Sequence, residues 1–218
     1  MTPGLAAVYD ALLQRAAAGP LRPRADRLRE RFRRRAGGFE PSHPKAEARE
    51  AAAWAGALAG GGLARELAET FEGGRERELA ALVGRAQRGL FRLVAAPGGV
   101  YADEQWRGGA FVLLAADDVA QSARAAPPSG ASFVGHVAAA ADGCVCLPGL
   151  VWLPDEAAPH LDALLDEARR LGAPFDDVAD ALLRMDHALA TLARVRPQYA
   201  FRLAALAPAL HALATEGA

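Results

Sequence analysis

The hydrophobic period of this chain changes at Gly89, and that change constrains the fold more than any other feature. Before it, apolar residues recur three and four positions apart, as on one face of a helix. Leu5, Val8 and Leu12 form one such stripe, Ala25, Leu28 and Phe32 a second, and Leu63, Leu67 and Phe71 a third. After it come short apolar runs: 90–94, 100–101, 110–114, 132–138, 144–147 and 150–153. Turn signals punctuate them at Pro97-Gly98-Gly99, in a loop over 126–130 with two prolines, at Asp142-Gly143 and at Pro148-Gly149. From Asp155 the helical period returns.

The expected fold is therefore α+β. N-terminal helices fill 1–88, a small five- to six-stranded antiparallel barrel-like sheet fills 89–153, and C-terminal helices fill 154–218, within one domain. Glycine and proline set the helix limits. They give 4–18, ended by Gly19-Pro20; 23–36, ended by Gly37-Gly38; 45–59; 63–72; 75–87; 155–171; 174–195; and a last helix over 197–214, kinked at Pro208.

At 218 residues the chain is long enough to bury a core without disulfides or metals. It holds 54 alanines and 24 arginines, against the single lysine Lys45. Such a bias points to a GC-rich genome, so arginine count alone argues for no function. The net charge is -1, which speaks against a general polyanion binder. The charge is uneven, however, at +5 over 1–88, -2 over 89–153 and -4 over 154–218. Pairing between a basic start and an acidic end is the plainest reading of that asymmetry. The N-terminus has no basic region followed by an apolar run, and no apolar stretch has the length of a membrane span. A cytoplasmic protein with reduced thiols and no membrane partner is expected.

Four residue groups are candidate sites. The first is the run of eight arginines between Arg22 and Arg35, offset only by Asp26 and Glu30. Guanidinium groups suit carboxylates, phosphates and bases. Arg24, Arg27, Arg31, Arg34 and Arg35 are therefore a candidate surface for an acidic protein, with nucleic acid as the alternative. A solvated helix in a lysine-poor chain is the plainer reading. The second is Asp176, Asp180 and His187, which share one helical face. The apolar stripe Val178, Leu182, Met185, Leu189 and Leu192 lies nearly opposite, so the three are expected to face water rather than bind a metal.

The third is Cys144 and Cys146, with His136 as a third ligand across a hairpin. Structural zinc needs four ligands, so small residues filling a sheet core are expected instead. The fourth surrounds the β segment: Tyr101 and Trp106 as loop aromatics, with the carboxylate pairs Asp103-Glu104 and Asp117-Asp118. No nucleophile or cation accompanies these acids, and no phosphate loop, dinucleotide fingerprint or nucleophile elbow occurs in the chain.

The runs RGLFRLV, W-x-G-G-A-F, G-H-V, DGCVCLPGLVWLPDEA and DALLRMDHAL resemble a family of proteins from GC-rich, myxobacterial-type genomes. That resemblance covers most of the chain. It implies a helical start, a small barrel and a helical end, and it brings no activity.

Together these features give the expectation of a non-catalytic adaptor without cofactor or metal. It would bind a protein partner through the barrel loops, the Arg22–Arg35 helix, or both. A nucleic-acid-associated protein using the same helix is the alternative, and an enzyme with a dispersed site is the third reading. Tyr199, Phe201, Leu203, Leu206, Leu210 and Leu213 leave self-association open.

Overall fold

The computed structural model describes residues 3–114, 130–191 and 196–216. The Asp117-Asp118 pair, most of the proline loop and Leu192 lie outside these residues.

The N-terminal helices follow the apolar stripes. They are α1 (Pro3–Ala17), α2 (Arg22–Arg35), α3 (Ala46–Leu58), α4 (Leu63–Ala68) and α5 (Gly74–Gly84), with a 3-10 turn, Gly19–Leu21, before α2. The fifth helix ends earlier than its period implies, because Gln87 already pairs with the sheet opposite Val137. Leu5, Leu12, Leu58, Leu63 and Val83 meet in one buried cluster among these helices.

The strands are β1 (Gln87–Ala96), β2 (Gly99–Glu104), β3 (Ala110–Val112), β4 (Ser132–Ala140), β5 (Gly143–Cys146) and β6 (Val151–Trp152). Their order is β3-β2-β1-β4-β5, with β6 beside β5 on the same edge of β4, and all ladders are antiparallel. The sheet curls until its outer strands touch. Leu113 bridges Cys144, and the Leu114 N–H donates to the Cys144 carbonyl at 2.9 Å.

Alternation along each strand divides the core. Phe91, Leu93, Val100, Ala102, Phe133, Val137, Cys144 and Cys146 fill the concave face. The opposite face is split. Leu90, Val134 and Val151 meet the C-terminal helices, whereas Ala138, Val145 and Leu147 meet the N-terminal ones. The turn between β5 and β6 is pressed onto α3. Gly149 has φ +90°, and a Cβ there would lie 2.1 Å from the Ala52 nitrogen, so only glycine fits.

After a 3-10 turn, Asp155–Ala157, come α6 (Ala158–Arg170), α7 (Phe175–Thr191), α8 (Pro197–Ala200) and α9 (Leu203–Glu216). The last helical run is interrupted at Phe201-Arg202, ahead of Pro208, because Phe201 turns fully into the core. Phe201, Leu206 and Leu213 are thus internal, while Tyr199 and Leu203 stay exposed. No helix among the described residues is long and apolar enough to cross a membrane.

Candidate functional site

Helix α2 spends its arginines unequally. On its protein-facing side, Arg29 and Arg33 both donate to Glu50 of α3, and Arg29 also lies 4.1 Å over the Trp54 ring. Burial alone would raise the Glu50 carboxyl, but these two guanidiniums hold it below its ordinary value. Arg24 donates to Glu66 at 2.7 Å and to the Gly61 carbonyl at 2.6 Å. Arg35 reaches Asp177 at 2.5 Å and Asp180 at 2.6 Å.

Arg27, Arg31 and Arg34 are exposed, and among the described residues they make no ion pair or side-chain hydrogen bond. Their spacing of four and three places them on one stripe of the helix. The structure therefore separates the candidate arginines: Arg24 and Arg35 are structural, and the other three form a free basic ridge.

The end of α2 shows why it is held so firmly. Gly37 and Gly38, both in the left-handed region, turn their N–H groups back to the Arg34 and Arg33 carbonyls. The Arg35 and Ala36 carbonyls, and that of Arg34 a second time, accept from arginines of other helices. Arg184 of α7 donates to the Arg35 and Arg34 carbonyls, and Arg49 of α3 donates to that of Ala36.

Asp180 overturns the expectation that its helical face meets water. Its side chain is 4% exposed and accepts from both Arg35 and Arg88, each at 2.6 Å. The polar face of α7 docks against α2 and β1, which bring the counter-charges with them. Asp176, at the start of the helix, remains exposed. His187 stacks on His43 with centroids 5.2 Å apart and rests against Gly37.

Behind that stack lies a second pairing that sequence reasoning missed. Arg49 is fully buried, yet donates at 2.8 Å to Asp186, to the Leu183 carbonyl at 2.8 Å, and to Ala36. Lys45 completes the pairing of Asp186 at 2.5 Å. Burial and the nearby Arg49 charge push both His43 and His187 below the ordinary histidine value. A lone arginine at a spacing shared with Ala52 and Ala53 was the only signal in the sequence that this position was internal.

A cleft of about 710 Å³ opens between α2, α3 and the start of α7, with β1 and β4 as its floor. Arg31, Arg35, Arg88 and Arg107 face Asp176, Asp177 and Asp180 in it. Its α3 wall is Ala53, Gly56 and Ala57, continued by Gly60 and Gly61 in the turn that follows the helix. His136 borders it and is 5% exposed, and its Nδ1 is sealed from solvent without a hydrogen-bond partner. Burial, aided by the Arg88 charge, pushes this imidazole down to about 3.

The other candidates do not gather into a site. Trp106 is packed rather than presented, with Phe175 at 5.9 Å and the Arg169 guanidinium over its ring at 5.0 Å. Tyr101 lies on the convex side of the sheet between Val94 and Val112, and these two valines are exposed. Asp103 accepts from Gln105, and Glu104 from the Arg107 N–H, so both serve the turn after β2. Cys144 and Cys146 line the concave face with Val137, whereas His136, one residue away, points to the other. Strand parity thus keeps these three apart. Among the described residues no three of His, Cys, Asp and Glu converge as a metal site requires.

Comparison with known proteins finds no family model, no curated protein and no solved structure that matches the chain. Fold and site define an α+β protein with a curled sheet, a free basic ridge and a polar cleft beside it.

Proposed function

We propose that this chain is a non-catalytic interaction protein that docks an acidic segment of another protein along the α2 ridge. The observation that carries the reading is the division of the arginines. Every arginine of α2 that turns toward the protein is matched by an acid or a carbonyl, whereas Arg27, Arg31 and Arg34 have no partner among the described residues. From Arg27 to Arg34 is seven residues, a span of roughly 10 Å on a helix, which suits two or three acidic side chains of one peptide.

A protein partner is favoured over nucleic acid because Asp26 and Glu30, both exposed, interrupt the basic surface. A phosphate backbone would meet those carboxylates, whereas a peptide can place its own acids between them. The non-catalytic reading is supported by the pairing of the buried Asp180 and Asp186 and the half-buried Glu50. Asp180, Asp186 and Glu50 are engaged by arginine or lysine, which leaves none of them available as a general base.

The test is fluorescence anisotropy of a labelled, glutamate-rich peptide on wild type and on the R27E/R31E/R34E variant. Surface pairs contribute about 0.2–1 kcal/mol each, so three reversals weaken binding by roughly tenfold or more, and added salt does the same. Equal affinity for both proteins would remove the ridge from the account. If heparin and RNA are retained more strongly than the peptide, and retention falls with the same three changes, the nucleic-acid alternative takes its place.

A further inference from the structure

We propose that the cleft beneath α2 binds a small organic anion: its charged group at Arg31 and Arg107, an apolar body along the α3 wall, and a neutral hydrogen-bonding group at His136. This site is separate from partner docking on the ridge, with which it shares only Arg31.

The volume is the first support. About 710 Å³ falls within the roughly 300–1,000 Å³ typical of small-molecule sites. The wall is the second. The cleft side of α3 carries nothing larger than a methyl group. Glycine is the poorest helix former after proline, yet Gly56 sits inside α3, in a chain where alanine is abundant. Packing does not require it, since the nearest atom to a Cβ at this position is the His136 Cε1, 4.0 Å away. Gly56 keeps open the space directly in front of that ring.

His136 is the third support. A buried polar atom without a partner is unusual, because its lost hydration is not replaced. Here the ring borders a cavity through its Cε1 edge. Although Nδ1 is sealed in this conformation, a turn of the ring brings that nitrogen to the cavity, where a ligand supplies the missing bond. Because burial and Arg88 keep the ring uncharged, it exchanges a hydrogen bond rather than a charge.

Charge is the fourth. Asp180 accepts from Arg35 and Arg88 together, Asp177 binds Arg35, and Asp176 lies 3.6 Å from Arg88. Those two arginines are therefore already compensated. Arg31 has no partner among the described residues. Arg107, half exposed, has a 3.8 Å approach to Glu104, a long 3.4 Å hydrogen bond to the Arg88 carbonyl and a place 4.9 Å over Phe175, with no close carboxylate. These two supply the surplus positive charge at the mouth. The apolar Leu28 and Phe32 beside them favour an organic anion over an inorganic one.

Calorimetric titration of the full chain with 4-hydroxybenzoate, adenosine monophosphate and inorganic phosphate tests this. The first two carry a ring and a neutral polar group, with carboxylate or phosphate as the anion, so they separate those two sources. The expected result is saturable binding of at least one of them, with inorganic phosphate at least tenfold weaker. R107Q, a change at an exposed position, should weaken that binding about tenfold. G56L should abolish it while circular dichroism remains that of wild type, and the His136 ring resonances should move only in the protein that binds.

The proposal fails if neither organic anion binds. It also fails if phosphate binds as tightly as they do, or if R107Q leaves their affinity unchanged. Should G56L not fold, R107Q and the His136 resonances still decide the question. R27E/R34E, which spares the shared Arg31, acts on partner capture alone, and R107Q and G56L act on probe affinity alone, so either reading can fail by itself.

Discussion

The Arg49–Asp186 pair offers the sharpest test of what holds the helical segments together. Both side chains are out of water, at 0% and 2% exposure. Asp186→Ala leaves the Arg49 guanidinium in the interior with only the Ala36 and Leu183 carbonyls. Breaking a buried pair from one side costs about 3–5 kcal/mol. Against a total stability of roughly 5–15 kcal/mol, that is a large fraction.

Arg49→Met costs a similar amount, because it strands two buried carbonyls and leaves Asp186 to Lys45 alone. Removing both charges together should cost less than the sum, since neither is then left uncompensated. The coupling expected from urea midpoints at constant slope is about 2 kcal/mol or more. Additive losses, or a single substitution costing under about 1 kcal/mol, would refute the view that this pair acts as one unit.

Further outcomes follow from other positions. His136 has its folded-state pKa depressed, so the unfolded chain takes up its proton first and stability falls as pH drops below about 6.5 toward 3. From pH 7.5 to 5 that amounts to roughly 2 kcal/mol from this group alone, and H136Q should show a correspondingly shallower pH dependence in chemical unfolding. Gly149→Ala meets both a positive φ and the α3 backbone. It should cost about 3 kcal/mol or more, or prevent folding, and a loss under about 1 kcal/mol would contradict that packing. Gly56→Ala should instead raise stability by about 0.5–1 kcal/mol, read as a higher melting temperature.

Sequence periodicity reached the architecture because each element announces its own period. The β region begins at Gln87, two residues ahead of the change of period at Gly89, and Asp142-Gly143 and Pro148-Gly149 do connect strands. The concave face was also within reach. In Phe133-Val134-Gly135-His136-Val137 both parities are apolar or small, which marks a strand covered on both sides, and a histidine on such a strand is buried.

What periodicity could not supply is the partner of a polar face. The stripe of α7 showed where its apolar side lies, but Asp180 meets Arg35 and Arg88 at separations of 145 and 92 residues. No local pattern specifies which element covers a polar face. For the same reason the eight arginines of α2 looked equivalent. Their division into paired and free appears only once Glu50, Glu66 and Asp180 take their places around them.

The central claim rests on the free arginines of that helix, and affinity isolation from the source cell's extract tests it most directly. Tagged wild type and R27E/R31E/R34E are compared side by side, each with its fold verified by circular dichroism. The account predicts a stoichiometric protein partner on wild type that salt elutes, that protects α2 from hydrogen exchange, and that the variant does not retain. A partner held equally by both proteins, or repeated isolation of wild type alone, would contradict it.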